Sequence, residues 1–451
     1  MIKKNDTVEL EITGMTHDGS GVGRFDGMAI FVPNTAIGDI AKVHILKVKK
    51  TYAYGKLISI ITPSPDRITP DCPVFSKCGG CTYRHISYDA ELKIKTQKVL
   101  DAFVKNAGIT PTAENIIASD CTDRYRNKGQ YPLDISKDGR IISGFFAPYS
   151  HRVIACDDCL LAPAEFSKII DFIIDFLEKH NITVYDETKH KGLVRHIYLR
   201  SLSNGKEIMV CLVINGDTLP CADEFVSEIV EFNGNIKSVI LNVNKEDTNV
   251  ITGKQNIILY GNGYVTDTLC DTKFRISPLS FYQVNSAQTE KLYCKAGEYA
   301  NLKEDDILLD LYCGVGTIGL TMAKKCKKLY GVEIIPEAIE DAKINALENG
   351  ITNAEFYAGD AADMAIVFNN KGISPNVVIL DPPRKGCSQE LINTVANDFN
   401  PERIVYVSCD PATLARDCKL FSQFGYKVEK LTPVDMFPRT SHVETVALMT
   451  R

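Results

Sequence analysis

The amino-acid sequence predicts an α/β fold, with a doubly wound C-terminal domain that follows a small β-barrel and a central mixed α+β domain. From about residue 273, apolar segments such as DILLDLYCG, NVVILDPP and RIVYVSC alternate with helical segments, which is typical of a mostly parallel sheet. Near the N-terminus, short alternating segments are separated by glycine-rich turns such as HDGSGVGRFDG, which indicates a small closed barrel. A chain of 451 residues is too long for one hydrophobic core.

These patterns define three predicted domains. The barrel takes residues 1–62, and the stretch TPSPDRITPDCP after it reads as a proline-rich linker. Residues 63–272 form the central domain and residues 273–451 the doubly wound domain. One alternative for the basic helix predicted at 88–107 is to pack on the C-terminal domain, despite its position in the chain.

Composition narrows the class of protein. The chain is 45% apolar and 24% charged, begins without an apolar signal segment, and has no apolar run long enough to span a membrane. We therefore expect a cytoplasmic protein with no membrane partner. Its 15 cysteines are an odd number in a chain of cytosolic character, which favours metal binding or thiol chemistry over a disulfide framework.

Basic and aromatic residues are interleaved in the last two predicted barrel strands. Tyr52 and Tyr54 lie among Lys42, His44, Lys47, Lys49, Lys50 and Lys56. A small barrel with such a face suits single-stranded nucleic acid, although a solvated strand face gives the same pattern. The net charge of −6 shows no general affinity for nucleic acid, so any contact would be local.

A glycine loop follows the first strand of the doubly wound domain. Gly314, Gly316 and Gly319 lie between a strand and a helix, where a backbone without side chains can approach a ligand closely. Glu333, at the end of the next strand, is placed to accept hydrogen bonds from ribose hydroxyls. The spacing of the three glycines is also that of a nicotinamide-binding loop, so a dehydrogenase is one interpretation. Asp310 and the form D-x-Y-C-G-x-G look like an S-adenosylmethionine site, in which Asp360 would contact the adenine.

Candidate functional residues also lie at the ends of two further predicted strands. Asp381 precedes two prolines that hold an extended turn, so its carboxylate is expected to face the crevice at the sheet edge. Cys409 ends the strand RIVYVSC, where a cysteine is either a small buried hydrophobe or a nucleophile.

Six motifs resemble the RNA (uracil-5-)-methyltransferase family, and within it the branch that acts on 23S ribosomal RNA. They are SFYQVN, DLYCGVGTIGL, GVE, DPPRKG, VSCDPATLARD and FPRTSHVETV, and they span the C-terminal domain in order. The resemblance implies a site for S-adenosylmethionine and the target base lined by Gln283, Tyr312, Glu333 and Asp381. It implies that Cys409 is the nucleophile and Glu444 the base. His442, which lies beside Glu444 in the sequence, is the alternative base.

The implied chemistry explains these residue types. A thiolate that adds to carbon 6 of uracil makes carbon 5 nucleophilic enough to attack the sulfonium methyl group, and a base then removes the carbon 5 proton. The expected product is 5-methyluridine in 23S rRNA, with tRNA uridine as the alternative substrate. A helix N-terminus or a positive charge near Cys409 would favour its thiolate, and a helix is predicted to begin directly after this residue.

A cysteine cluster marks the central domain. Cys72, Cys78 and Cys81 are close enough in sequence to be metal ligands, and either Cys156 or Cys159 offers a fourth. The uneven spacing is nearer to iron–sulfur ligation than to zinc, although zinc remains open. The resemblance implies a [4Fe-4S] cluster held by Cys72, Cys78, Cys81 and Cys159, and an N-terminal RNA-binding barrel of the TRAM type.

The central domain offers further candidate RNA contacts in two segments. They are Arg124, Tyr125, Arg126, Lys128 and Tyr131, followed by Arg195, His196 and Arg200. A uridine flipped out of its stack would reach Cys409. We expect a monomer that binds rRNA and not DNA. A redox iron–sulfur enzyme and a dehydrogenase are the competing classes.

Overall fold

The computed structural model describes residues 2–451 and has the predicted α/β class. Five strands close the N-terminal barrel in the order β1-β2-β3-β5-β4. Their bounds are β1 (Thr7–Met15), β2 (Gly21–Phe25), β3 (Met28–Val32), β4 (Ile40–Val48) and β5 (Tyr52–Thr62). Alternate residues of β1, namely Val8, Leu10 and Ile12, are buried inside the barrel, as the period of a strand requires.

A helix after the linker leaves its neighbours in the chain and packs on the C-terminal domain. Helix α1 (Tyr88–Ala102) is capped by Ser87 and continues as a π-helical turn over Phe103–Ala107. Val99, Phe103 and Ala107 of this segment are buried in a core whose other buried members all come from the C-terminal domain.

The central domain is built on a seven-stranded sheet of order β12-β11-β10-β9-β6-β7-β8. Its elements are β6 (Lys128–Ile135), β7 (Ile141–Phe146), β8 (Val153–Ala155), α2 (Ala164–Lys179), β9 (Val194–Leu202), β10 (Glu207–Ile214), α3 (Ala222–Phe232), β11 (Ile236–Val243) and β12 (Gln255–Gly261). Helices α2 and α3 cover one face. Tyr198 and Met209 on the other face share a core with the C-terminal domain, so the two domains are packed together.

A hairpin, β13 (Val265–Leu269) and β14 (Thr272–Ile276), leads into the C-terminal domain. The elements that follow are α4 (Ser286–Ala300), β15 (Ile307–Leu311), α5 (Thr317–Met322), β16 (Lys328–Glu333), α6 (Pro336–Glu348), β17 (Ala354–Ala358), α7 (Ala361–Asn370), β18 (Val377–Leu380), α8 (Gln389–Asn393), β19 (Arg403–Ser408), α9 (Pro411–Ser422), β20 (Lys427–Val434) and β21 (Glu444–Thr450). Short 3-10 and π-helical turns follow α5 and α8, at Ala323–Lys325 and Thr394–Phe399.

The strand order of this second sheet, β17-β16-β15-β18-β19-β21-β20, fixes where a ligand can bind. Strands β15 to β19 are parallel, and β21 is antiparallel to both of its neighbours. The order reverses between β15 and β18, and open sheets of this type bind ligands at the carboxyl ends of the strands beside that reversal. Within residues 2–451, none of the helices is long and apolar enough to cross a membrane.

Candidate active site

A cavity of about 840 Å³ lies at the carboxyl ends of the parallel strands. Successive strand ends each contribute a predicted residue to its wall. These are Tyr312 and Gly314 after β15, Glu333 at the end of β16, Asp360 after β17, Asp381 after β18, Cys409 after β19, and Glu444 at the start of antiparallel β21. Gln283 comes from the segment before α4. The fold thus gathers residues that are far apart in the sequence into one crevice.

The glycine loop shapes one side of the cavity. Gly314 has a left-handed φ of 55°, and its N–H donates to Glu333 Oε2 at 3.2 Å. The N–H of Ile335 donates to the other oxygen, Oε1, at 3.0 Å, so the carboxylate is fixed in place and retains lone pairs for a ligand hydroxyl.

Gly316 does not line the cavity, unlike the other predicted cofactor residues. It is the N-cap of α5 with φ 83°, and a Cβ there would come within 2.9 Å of Leu320. Its glycine therefore serves the turn into the helix and the packing around it, a structural role that the sequence motif does not separate from ligand contact.

Two other acids of the domain have structural partners. Asp310 is fully buried, its Oδ2 accepts from the Gly319 N–H at 2.8 Å, and burial raises its pKa to about 8. Asp360 caps α7 by accepting from the Ala362 N–H at 2.9 Å while it lines the cavity. Asp310 thus stabilises the segment that follows the glycine loop through its bond to Gly319, whereas Asp360 lines the cavity and is available to a ligand.

Cys409, Asp381 and Glu444 meet on the wall beside the glycine loop. Burial raises the pKa of Asp381 to about 7. Burial, and then the charge of Asp381, raise the pKa of Glu444 to about 8. At neutral pH this pair of carboxyls therefore holds at least part of a proton, which suits a site that both donates a hydrogen bond and accepts a proton.

The Cys409 thiol has an environment that differs from the prediction. Helix α9 does begin at Pro411, but the carboxylate of Asp410 accepts from the free N–H groups of Ala412 and Thr413. Burial, followed by Glu444 and Asp381, raises the pKa of Cys409 to about 11. The expectation that the helix start favours the thiolate is therefore wrong, because the Asp410 carboxylate takes up those amides and neighbouring acids disfavour the anion.

Arg384 opposes this effect and was not predicted as a site residue. It lies on the cavity wall in the motif DPPRKG, and its charge lowers the pKa of both Cys409 and Glu444. His442 is also on the wall, and burial, followed by Arg384, lowers its pKa to about 4. The alternative base His442 is thus neutral and weakly basic. The position of Arg384 directly after Asp381-Pro-Pro is a signal that could have identified it.

A second cavity, of about 250 Å³, is lined by all five cysteines of the predicted cluster. They are Cys72, Cys78, Cys81, Cys156 and Cys159. Burial raises the pKa of both Cys78 and Cys81, and the charge of Cys159 adds to the rise at each. Burial, followed by Cys159, Cys72 and Cys78, raises the pKa of Cys156 to about 12. Both candidates for the fourth ligand therefore lie near the other cysteines, and Cys159 is the one that also acts on Cys81. Arg126 lies on the wall of this cavity and of the larger one, so the two are adjacent.

The spacing of these sulfurs bears on what they can hold. Within residues 2–451, the one group of three or more His, Cys, Asp or Glu ligand atoms that all lie within 4.8 Å of one another belongs to His180, Cys221 and Glu224. No three of the five cysteine sulfurs therefore lie that close together. Tetrahedral zinc with Zn–S bonds of about 2.3 Å needs sulfurs about 3.8 Å apart. The cysteine cavity fits a larger group. At the other trio, Lys179 already donates to Glu224 at 3.0 Å.

Four of the eight predicted RNA contacts in the central domain are wrong as surface contacts. Tyr131, Arg195, His196 and Arg200 are each less than 5% exposed. Strand β9, which carries three of them, is buried along its whole length because both faces of the sheet are covered. The side chain of Arg124 pairs with Asp158, beside the cysteine cavity.

The barrel does present an aromatic face to solvent. The rings of Tyr52 and Tyr54 are 5.5 Å apart and both contact Phe31. Tyr54 is 43% exposed, and the side chains of Lys42, Lys47 and Lys56 are exposed nearby on β4 and β5. Such a face can stack unpaired bases and contact phosphates.

The profile of the family described as tRNA (Uracil-5-)-methyltransferase matches residues 87–451, and that of the TRAM domain matches residues 3–58. The chain belongs to the RNA uracil-5-methyltransferase family. This membership establishes the class of activity, the S-adenosylmethionine-dependent methylation of RNA, and the N-terminal barrel is a TRAM domain.

Relatives span the whole chain. An uncharacterized RNA methyltransferase of Clostridium tetani is 46% identical to this chain, and the match covers 100% of this chain and 97% of the relative. An uncharacterized RNA methyltransferase of Halalkalibacterium halodurans is 44% identical, and the match covers 99% of this chain and 98% of the relative. The solved tRNA (uracil-54, C5)-methyltransferase of Pyrococcus abyssi, in complex with S-adenosyl-L-homocysteine, has a TM-score of 0.79 and 28% identity, covering 98% of this chain and 99% of that one.

Proposed function

We propose that this enzyme transfers the methyl group of S-adenosylmethionine to carbon 5 of a uridine in 23S rRNA, through a covalent adduct between Cys409 and carbon 6. The observation that carries the proposal is the meeting of Cys409, Asp381 and Glu444 on one cavity wall beside the glycine loop. A nucleophile and two carboxyls with raised pKa values are what this reaction needs.

The first role is that of Cys409. Its thiolate adds to carbon 6, and the electrons of the carbon 5–carbon 6 double bond move toward the carbonyl oxygen at carbon 4. Arg384 favours the thiolate because its charge lowers the pKa of Cys409. Asp381, with a pKa of about 7, is partly protonated at neutral pH and can donate a hydrogen bond to the uracil carbonyl that gains charge.

S-adenosylmethionine supplies an electrophilic methyl group, which carbon 5 takes up. Glu333 is held by two backbone N–H groups where ribose hydroxyls can donate to it, and Asp360 lies on the same wall for the adenine. Gln283 and Tyr312 line the same cavity. These four residues position the donor.

Glu444 completes the reaction as the base. Its ionised carboxylate accepts the proton from carbon 5, the double bond reforms, and the Cys409 thiolate leaves. The products are 5-methyluridine, S-adenosylhomocysteine and one proton. Glu444 is better suited than His442, because a carboxylate with a pKa of about 8 holds a proton more readily than an imidazole with a pKa of about 4.

The cysteine cavity fits a [4Fe-4S] cluster held by Cys72, Cys78, Cys81 and Cys159. Four thiolate ligands and wide spacing suit such a cluster, which when bound supplies a rigid crosslink between the linker and the loop before α2. Arg84, Arg126 and Lys128 also line the cavity and can balance the negative charge of a thiolate cluster. Methyl transfer moves no net electrons, so we assign this group a structural role.

The 23S substrate rests on the TRAM barrel together with the cysteine cluster. A tRNA uridine is the second candidate, favoured by the likeness to the Pyrococcus abyssi tRNA enzyme over almost the whole chain. In both cases the base must leave its stack to enter the cavity. The exposed face of Phe31, Tyr52 and Tyr54 offers a place for unpaired neighbouring nucleotides.

Nucleoside mass spectrometry separates these substrates. Unmodified 23S rRNA and unmodified tRNA transcripts would be incubated in parallel with the enzyme and S-adenosylmethionine, then digested. We expect a 5-methyluridine peak from 23S rRNA and none from tRNA. A peak from tRNA alone would transfer the assignment to tRNA.

A further inference from the structure

The segment 435–443, here called the active-site loop, joins β20 to β21 and forms one wall of the large cavity. Phe437, Thr440 and His442 line that cavity, and Glu444 follows the loop directly. The loop has no regular secondary structure of its own. Its conformation must therefore come from contacts with other parts of the chain.

Helix α1 supplies one set of contacts through buried charges. Lys95, Glu91 and Asp435 are all fully buried, and Lys95 Nζ donates to Glu91 at 2.7 Å and to Asp435 at 2.6 Å. The same ammonium donates to the Phe437 carbonyl at 3.1 Å. A buried network of this kind is costly unless every charge has its partner, so it fixes the loop in one position.

The cysteine-rich segment supplies a second set, and Arg439 is where it meets the loop. The backbone N–H groups of Thr82 and Tyr83, directly after Cys81, donate to the Arg439 carbonyl at 2.8 and 3.0 Å. The Arg439 guanidinium donates to the Ile86 carbonyl at 3.3 Å.

The backbone of Arg439 completes this junction. Its N–H donates to Glu91 Oε1 at 2.8 Å, which joins it to the buried network of α1. Its φ is 68°, a left-handed conformation that costs a non-glycine residue free energy unless its surroundings hold it. One residue thus connects the cysteine segment, helix α1 and the active-site loop.

We propose that Arg439 is a positioning residue through which the cysteine site holds the active-site loop in the form that catalysis needs. This inference rests on the proposed function. It gives the cysteine cluster a task in a reaction without net electron transfer: the group bound by Cys81 fixes the start of segment 82–86, and that segment fixes Arg439. The loop then places Phe437, Thr440 and His442 around the base.

The test is amide hydrogen exchange of peptides from the active-site loop in the full-length protein, without RNA or methyl donor. Cys81→Ser removes one end of the connection and Arg439→Gln removes the guanidinium while keeping an L-residue at the strained position. We expect each change to speed exchange of the loop amides about tenfold, as the loss of one or two hydrogen bonds would. The double variant should exchange less fast than the product of the two single effects, because both changes loosen segment 82–86 against Arg439.

Catalytic measurements separate positioning from general damage. Arg439→Gln should lower kcat while the Kd for S-adenosylhomocysteine stays within about twofold, because the donor wall lies on other elements, and Arg439→Lys should recover part of the kcat. Arg451→Gln is the matched control, since Arg451 also donates to backbone carbonyls but lies beyond the far end of β21. Its loop exchange should equal that of the wild type.

Several outcomes would overturn the inference. One is an exchange rate of the loop amides in Arg439→Gln that equals that of the wild type. Another is an exchange rate in the double variant that equals the product of the two single effects. If Cys81→Ser does not fold, the wild type is treated with a chelator that removes bound iron instead. Loop exchange that is unchanged by this treatment also contradicts the inference. If the protein forms 5-methyluridine but the loop exchange does not respond to these changes, the proposed function stands and the inference about Arg439 is wrong. If the loop exchange responds but no 5-methyluridine forms, the proposed function is wrong and the inference about the loop stands.

Discussion

Replacing Glu444 by glutamine should stop the reaction after methyl transfer and before release of the enzyme from RNA. Glutamine has nearly the same shape but cannot accept the carbon 5 proton, and loss of a general base slows its step by about 10²- to 10⁴-fold. The variant should therefore accumulate RNA bound to Cys409 with the methyl group already on carbon 5. The assay incubates the variant with labelled RNA and with S-adenosylmethionine that carries a labelled methyl group, and separates the products on a denaturing gel. We expect the protein, the RNA and the methyl label to migrate together.

The pKa of Glu444 sets the pH dependence of the same step in the wild type. A pKa of about 8 leaves about one-tenth of the carboxyl ionised at pH 7, half at pH 8 and about nine-tenths at pH 9. Resolution of the adduct should therefore speed up about fivefold from pH 7 to 8 and less than twofold from pH 8 to 9. The glutamine variant should lack this rise. Normal turnover by the variant, or slow turnover without a trapped adduct, would refute the assignment of Glu444.

Three further predictions concern Cys409, Cys81 and the buried Asp310. Cys409→Ala should abolish the adduct and methyl transfer while the Kd for S-adenosylhomocysteine, measured calorimetrically, stays within about twofold; measurable turnover would exclude Cys409 as the nucleophile. Cys81→Ser should lose the brown colour and the iron content expected of a [4Fe-4S] cluster, and a colourless wild type with stoichiometric zinc would contradict that cluster. Burial raises the pKa of Asp310 from 3.8 to about 8, so folding takes up a proton between these values and stability falls as pH rises through them. Asp310→Asn should therefore raise Tm at pH 8 and flatten its pH dependence, and an unchanged profile would argue against a protonated Asp310.

The sequence predicted the parts of the site that are coded locally. Glu333 ends an apolar strand, Asp381 and Cys409 directly follow theirs, and parallel strands bring their carboxyl ends to one edge of the sheet. The fold class and the crevice therefore followed from periodicity and turn residues. Assignment of roles needed the resemblance of the six motifs to a family, since position alone left Cys409 open between packing and nucleophile.

The environment of each residue could not be predicted from the sequence. The pKa of Cys409 depends on its burial and then on Glu444 and Asp381. These two acids lie 35 and 28 residues away along the chain and meet Cys409 only in the folded site. The basic residues of β9 looked like RNA contacts because charge suggests exposure, but the packing of two domains buried them. The Lys95 network was equally hidden, since its carboxylate partner Asp435 belongs to another domain.

The central claim is tested most directly with a 23S rRNA fragment in which 5-fluorouridine replaces uridine. Fluorine at carbon 5 cannot be removed as a proton, so the covalent intermediate should persist in the wild-type enzyme. After digestion, mass spectrometry should find a single peptide carrying a methylated fluorouridine nucleotide on Cys409. An adduct on another cysteine, or methylated RNA with no protein attached, would contradict the proposed mechanism.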